Sequence, residues 1–254
     1  MSIKFMKVGF LAALTVAAVG CGTKEAAGPL EPAAAGRVRF VNLITDPTRV
    51  PVNAILEAVP FGVNLGYTGT TPSTLPSPAT ANYSAILTGS RSLVLKKTAD
   101  TSVTVATIAF TVAVNEDRTV YATGGTAGAA VTNFSTIDAN PLPTSAQVAV
   151  RIVNMSPSAG ALDYFITAAN ADLSAATPTA ANVAYQGSSA YVMLAPGTYQ
   201  VRAVPAGTLP AARAANVSVT INNLALAGGT GRTIVTADKA AGGTPIIGFV
   251  LADR

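Results

Sequence analysis

Val148-Ala-Val-Arg-Ile-Val-Asn-Met155 is the stretch on which the fold turns. Val148, Val150 and Ile152 fall in one phase, and Ala149, Arg151 and Val153 in the other. A period of two with one more polar side is the pattern of a half-buried strand. The alternation returns at Tyr199, Val201 and Ala203 against Gln200, Arg202 and Val204, and at Val217, Val219 and Ile221 against Asn216, Ser218 and Thr220. From residue 37 onward no 3.6-residue pattern runs without Pro or Gly interrupting it, so the expected class is all-β. Strands are expected over about 147–155, 161–168, 189–194, 198–204, 215–221, 231–237 and 245–251. Earlier in the chain, Val103 and Val105 sit in one phase while Ile108, Phe110, Val112 and Val114 take the other, which predicts a bulge near Ala106-Thr107. Pro196-Gly197, bracketed by two strands, reads as a hairpin turn.

The chain also repeats itself. Arg39-Phe-Val-Asn-Leu43 recurs 112 residues later as Arg151-Ile-Val-Asn-Met155. Val52-Asn-Ala-Ile-Leu56 matches Leu162-Asp-Tyr-Phe-Ile166, and Arg118-Thr-Val-Tyr121 matches Arg232-Thr-Ile-Val235, at offsets of 110 and 114. Three matches in one order at a nearly constant offset predict a duplicated domain of ordinary size rather than a solenoid repeat. Around seven short strands per copy give two tandem antiparallel β-sandwich domains of immunoglobulin-like type. Their expected limits are 37–139 and 146–254, joined by a linker over 140–145 where Pro141 and Pro143 break any strand.

Composition removes whole classes of chemistry. The 254 residues contain no His, no Trp and a single Cys. Neither a Cys/His zinc site nor a Ser-His-Asp or Cys-His centre can be built, and no disulfide can form within the chain. Charged residues make up 11% of the chain and are scattered, with Lys96-Lys97 the densest basic pair, so no nucleic-acid partner is expected.

The N-terminus is an address. Lys4 and Lys7 precede the apolar run Val8–Gly20, which at thirteen residues is too short to span about 30 Å of hydrocarbon and suits the core of an export signal. The run ends at Ala18-Val-Gly-Cys21. A small residue before the lone Cys resembles a bacterial lipoprotein signal, although Ala18 stands where such signals usually carry Leu. The resemblance implies cleavage before Cys21, two acyl chains on its sulfur and a third on its new amine. Two or three chains anchor durably where one does not. The alternative is an ordinary secretory signal with an incidental Cys. Gly22 rather than Asp follows the Cys, which by the same resemblance implies the outer membrane. Residues 1–20 are therefore expected to be the signal peptide, and residues 21–36, broken by Pro and Gly, a flexible lipidated tether. Cleavage takes Lys4 and Lys7 with it and leaves 14 basic against 12 acidic residues.

Arg151-Ile-Val-Asn-Met-Ser-Pro157, Leu162-Asp-Tyr-Phe165 and Leu194-Ala-Pro-Gly-Thr-Tyr-Gln-Val201 together resemble DUF4397, a bacterial domain of unknown function with an R-V-x-N-x-S-P start, a D-V-Y-like second strand and an A-G-x-Y-x-V hairpin. The earlier copy is degraded: Leu43-Ile-Thr-Asp-Pro47 replaces Met-Ser-Pro, Asn53 stands opposite Asp163, and Ser90-Arg-Ser92 replaces Gly-Thr-Tyr199. The resemblance implies a periplasmic or surface β-sandwich and supplies no catalytic residues.

Few residues invite a binding role. Asp163 and Tyr164, a carboxylate beside a phenol, are candidate ligand contacts; the alternative is that Asp163 caps backbone amides or faces solvent. Asn42 and Asp46 offer oxygens, but calcium needs six to eight and no D-x-[DN]-x-[DN]-G loop is present. Glu116-Asp117 reads as a hairpin tip, and Gly124–Gly128 and Gly228–Arg232 as strand connections rather than phosphate loops. Tyr67, Tyr83, Phe110, Tyr121, Phe134, Phe165, Tyr185, Tyr191, Tyr199 and Phe249 are expected to nucleate the two cores. No catalytic residue, metal or cofactor is expected. The functional expectation is a non-catalytic, lipid-anchored envelope protein with a membrane anchor at Cys21 and a protein or polysaccharide partner, presenting two sandwich domains for binding, adhesion or assembly. The alternative is an envelope hydrolase or carbohydrate-active enzyme, which would need two carboxylates about 5–10 Å apart.

Overall fold

In the computed structural model, residues 34–72, 83–138 and 142–253 are described. The expected signal peptide, Cys21 and the tether as far as residue 33 lie outside them. The first half of the described chain forms β1 (Ala35–Ile44), β2 (Val52–Leu56), β3 (Val59–Leu65), β4 (Ser84–Leu87), β5 (Gly89–Lys97), β6 (Asp100–Val112), β7 (Asp117–Gly124) and β8 (Val131–Ile137). The second half forms β9 (Val148–Met155), β10 (Leu162–Thr167), β11 (Ala180–Val183), β12 (Gly187–Ser188), β13 (Val192–Leu194), β14 (Gly197–Pro205), β15 (Val219–Leu226), β16 (Thr230–Ala237) and β17 (Ile247–Ala252). Each half has an inner and an outer sheet. The inner sheets run β4-β1-β7-β8 and β12-β9-β16-β17, with β13 also on β9; the outer sheets run β3-β2-β5-β6 and β11-β10-β14-β15. The two halves share one strand order, and the β-sandwich class read from the periodicity stands.

The register agrees as closely as the order. Arg39 lies opposite Thr119 and Arg151 opposite Thr233, each in a run of eight matched pairs between β1 and β7 or between β9 and β16. Both of these pairings are parallel, where antiparallel sheets are expected throughout from the sequence; the other strand pairs are antiparallel. Parallel neighbours need a long crossover, and here it is the whole outer sheet together with the inner edge strand, β4 in the first half and β12 and β13 in the second.

That path corrects two turns. β13 pairs with β9 in the inner sheet whereas β14 pairs with β10 and β15 in the outer one, so Ala195-Pro196 carries the chain between sheets and is not a hairpin. Glu116-Asp117 likewise stands where the chain leaves β6 for β7 in the opposite sheet, and Asp117 is buried against Arg37, whose Nε and Nη2 donate to its carboxylate at 2.7 and 2.5 Å. Alternation along a strand reports its faces but not its partner, which is why it misassigns both turns. The expected bulge is present: Leu95 pairs with Ala106 and Lys96 with Thr104, leaving Val105 unpaired. The expected strand over 215–221 begins only at Val219, because Pro210–Asn216 forms a 3-10 helix that seals Phe165, Leu173 and Val204 into a small satellite cluster, with Arg213 stacked 5.0 Å over the Phe165 ring.

The tether also ends earlier than expected, since Ala35 and Gly36 already pair with Leu87 and Ile86. A Cβ at Gly36 would stand 2.4 Å from Val112 Cγ1 and 2.6 Å from Ala113 O, so only glycine lets β1 start against the end of β6. At the join, residues 139–141 lie outside the described residues, and Leu142–Gln147 is held rather than loose. Gly229 N donates to Thr144 O and Gln147 O, and a Cβ on Gly228 would fall 1.8 Å from Ser145 O. Those glycines, which superficially suggest a phosphate loop, permit this close approach.

Each sandwich has its own core. Val38, Phe40, Val52, Leu93, Leu95, Ile108 and Val120 fill the first; Val150, Ile152, Tyr164, Val201 and Ile234 fill the second. A third cluster joins them: Val41, Leu43 and Tyr121 on the inner sheet of the first half pack with Val153, Met155, Val235, Ala237 and Leu251 on that of the second. From Ala34 onward the chain is one compact unit. Every residue of β9 is therefore buried, on both faces.

Candidate functional site

Arg39 and Arg151 occupy the inner-sheet faces that meet between the halves, and both are almost wholly buried. A buried guanidinium must find a carboxylate and a hydrogen-bond partner for each donor it can. Each arginine crosses to the other half to do so. Arg39 Nη2 donates to Asp253 Oδ1 at 3.1 Å and its Nη1 to Ala252 O at 2.6 Å. Arg151 Nη2 donates to Asp138 Oδ1 and its Nη1 to Ile137 O at 2.8 Å. On its own side each arginine also reaches a threonine of the neighbouring parallel strand, Arg39 to Thr119 at 2.9 Å and Arg151 to Thr233 at 2.9 Å. The acceptors are shared out with the same symmetry. Asp138 Oδ2 accepts from Thr119 Oγ1 at 2.5 Å and Tyr83 Oη at 2.7 Å, while Asp253 Oδ2 accepts from Thr233 Oγ1 at 2.8 Å and Tyr191 Oη at 2.9 Å. The rings of those tyrosines stack on the arginines, Tyr83 at 4.6 Å from Arg39 and Tyr191 at 4.8 Å from Arg151.

The electrostatics follow from this enclosure. Burial pushes the Asp253 carboxyl above the ordinary aspartate range, with neighbouring Asp138 adding to the rise and Arg39 and Arg151 opposing it. Burial alone would lower the Arg39 and Arg151 guanidiniums, yet their anionic and phenolic neighbours outweigh it and both stay raised. Burial also raises the Tyr83 and Tyr121 phenols, so both stay neutral, and Tyr83 donates to Asp138.

The remaining motif residues hold local loops. Asn42 Nδ2 donates to Leu65 O and Gly66 O at 2.9 and 3.0 Å, and Asn154 Nδ2 to Gly160 O and Val183 O at 2.7 and 3.0 Å, so each asparagine ties its strand to the edge of its own outer sheet. Ser156 Oγ donates to buried Asp238 at 2.5 Å. Asp46 accepts from Thr48 N and Oγ1, which lowers its pKa, and pairs with Arg49 at 3.3 Å; Asn42 and Asp46 thus serve separate contacts.

Asp163 and Tyr164 do not form a shared handle. They point to opposite faces of β10: Asp163 accepts from Asn182 N at 2.7 Å and Gly207 N at 3.2 Å, capping backbone amides, while Tyr164 lies in the second core with its hydroxyl 2.5 Å from Thr236 Oγ1. The aromatic residues divide unexpectedly. Tyr67, Tyr121, Phe134 and Phe249 gather between the halves and Tyr83 and Tyr191 cover the arginines, whereas Phe40 fills the first core.

What faces solvent is a cleft at the open side of each sandwich, between the edge strand of the outer sheet and that of the inner one. The first, of about 410 Å³, lies between β3 and β4 and is lined by Leu56, Val59, Phe61, Ile86, Leu87 and Arg91. Val59 and Leu87 are 64% and 56% exposed, large values for aliphatic side chains. Arg91 is fixed at the rim by Glu57 at 3.0 Å and by donating to Leu87 O at 2.8 Å. The second, of about 360 Å³ at the equivalent position by β11 and β12, is lined instead by Thr179, Asn182, Ser188 and Ser189 with few large apolar groups. Equivalent places in the two halves therefore carry different chemistry. Sequence reasoning finds neither cleft, since edge strands are defined by pairing that alternation does not report.

No curated protein matches the chain. Among solved structures, a leucine-rich repeat protein from Bacteroides thetaiotaomicron VPI-5482 aligns at 10% identity over 81% of this chain, which spans 26% of that protein, with a TM-score of 0.18. So low a score carries no argument about fold or function. The family comparison is informative: the model of a domain of unknown function, DUF4397, matches residues 36–165, taking in the whole first half and continuing through β9 into β10. With half of its length matched, including the first Arg-x-x-Asn strand and its recurrence, the chain belongs to the DUF4397 family.

Proposed function

We propose that this is a non-catalytic, lipid-anchored protein of the cell envelope, in which two DUF4397 copies locked together as one body present a binding surface at the edge of the first sandwich. The observation that carries the reading is the apolar cleft between β3 and β4, where Val59 and Leu87 remain exposed beside a fixed arginine. Aliphatic groups held open to water around a volume of 410 Å³ are what an apolar ligand segment needs. Two neighbouring carboxylates, Asp138 and Asp253, are not open to a substrate: both are sealed between the halves, each engaged by an arginine, a threonine and a tyrosine. The anchor rests on the signal-like run ending at Cys21.

Two measurements test the two parts. A palmitate analogue should label the protein in cells and Cys21→Ser should abolish the label; an unlabelled, freely soluble wild type would remove the anchor. For the cleft, the fluorescent probe anilinonaphthalene sulfonate should bind the native protein, and the paired change Val59→Asp with Leu87→Asp should weaken binding by about tenfold or more without altering unfolding. Unchanged probe affinity would exclude the cleft as a binding surface.

A further inference from the structure

We infer that the face joining the two halves is a self-complementary docking surface, and that its partner can be a second copy of the same half as well as the other half of the same chain. The contacts themselves have the form of a two-fold interface, in which residue i of one side meets j of the other and j meets i. Arg39 meets Asp253 and Arg151 meets Asp138. The strand registers make the members equivalent: Arg39 and Arg151 stand opposite Thr119 and Thr233, and Asp138 and Asp253 follow the ends of β8 and β17, whose Ile137 and Ala252 carbonyls each accept from the opposing arginine. The apolar layer obeys the same correspondence, with Val41 matching Val153, Leu43 matching Met155 and Phe134 matching Phe249. Exchanging one half for a copy of the other therefore leaves every crossing ion pair with both of its members.

Some positions depart from the symmetry: Tyr121, Thr123 and Thr136 of the first half stand where the second has Val235, Ala237 and Leu251. The Tyr121 hydroxyl is buried without a hydrogen-bond partner. Pairing two first halves would bring together two such hydroxyls, and pairing two second halves would bring together two Arg151 side chains whose Nε is likewise buried without a partner. Each like pair therefore leaves two buried donors unpaired, so neither half is excluded as its own partner.

The test keeps the full chain until it has folded. A protease site inserted at Asn140 is cut after folding, and the nicked protein is brought to exchange equilibrium in sub-denaturing guanidinium and examined by native mass spectrometry. The expected species are the mixed pair and, in addition, pairs of like pieces, the pair of two C-terminal pieces among them. Arg151→Glu in the same nicked protein should abolish the C-terminal pair. A spectrum holding only mixed pairs and single pieces would overturn the inference, as would C-terminal pairs that persist with Arg151→Glu.

Discussion

Replacing Asp138 with Asn is expected to lower the free energy of unfolding by about 3–5 kcal/mol. Asp138 receives four side-chain donors, from Tyr83, Thr119, Thr136 and Arg151, and its side chain has no exposed surface. An amide keeps the shape but removes the charge that offsets Arg151, which has an Nε already without a partner and would remain buried between two sheets. Desolvation of the remaining cation, more than loss of hydrogen bonds, sets the size of the effect. Asp172→Asn is the control, because that carboxylate is exposed and hydrogen-bonds within its own turn to Ser174; its unfolding curve should lie close to the wild type. Chemical denaturation followed by far-ultraviolet circular dichroism gives both values.

The second large effect belongs to the first core. Phe40→Ala should cost about 3–5 kcal/mol, because the ring is fully buried among Val38, Leu93, Ile108 and Val120 in a sheet with little freedom to close the cavity. Tyr199→Ala, a residue that sequence alone places among the core nuclei, should cost distinctly less. Tyr199 packs only against the margin of the second core and its hydroxyl reaches Ala195 O at 2.8 Å in an exposed position. Equal losses at the two positions would show that the cores are not where the structure puts them.

These two sites mark where the sequence can be read and where it cannot. The strand class, the bulge at Val105 and the duplicated Arg-x-x-Asn strands are all legible, because alternation and repetition are local properties of the chain. What escapes is the second burial of the inner sheets. Val148–Met155 reads as half-buried, with Arg151 on the solvent side. Its other outward residues are Ala149, Val153 and Met155, and a strand with no polar face beyond one arginine is the signature of a sheet covered on both sides. That lone arginine in an apolar strand is the available signal for the interface. The acids that the arginines meet are harder to see. Asp138 and Asp253 lie beyond the ends of their strands, outside any alternating pattern, and Asp253 is 214 residues from Arg39. Only a comparison of the two copies, which puts an aspartate 115 residues after Asp138, would name them. The clefts have no comparable signal, since the same aliphatic alternation lines β3, β4 and the buried strands.

The arrangement also gives the repeated Arg-x-x-Asn strand a physical meaning in this chain. Its arginine faces away from the sandwich that carries it and toward the other one, while its asparagine faces inward and ties the strand to its own outer sheet. One short strand thus sets both the internal geometry of a copy and its attachment to a neighbour.

The most direct measurement is a double-mutant cycle on Arg151 and Asp138, with Arg151→Met, Asp138→Leu and the pair combined, read by equilibrium unfolding. If crossing ion pairs bind the halves into one unit, each single change is strongly destabilising and the combined change costs less than their sum by about 2 kcal/mol or more. Strictly additive losses would contradict it, for they would mean that Arg151 and Asp138 act independently and that the halves are held together by something else.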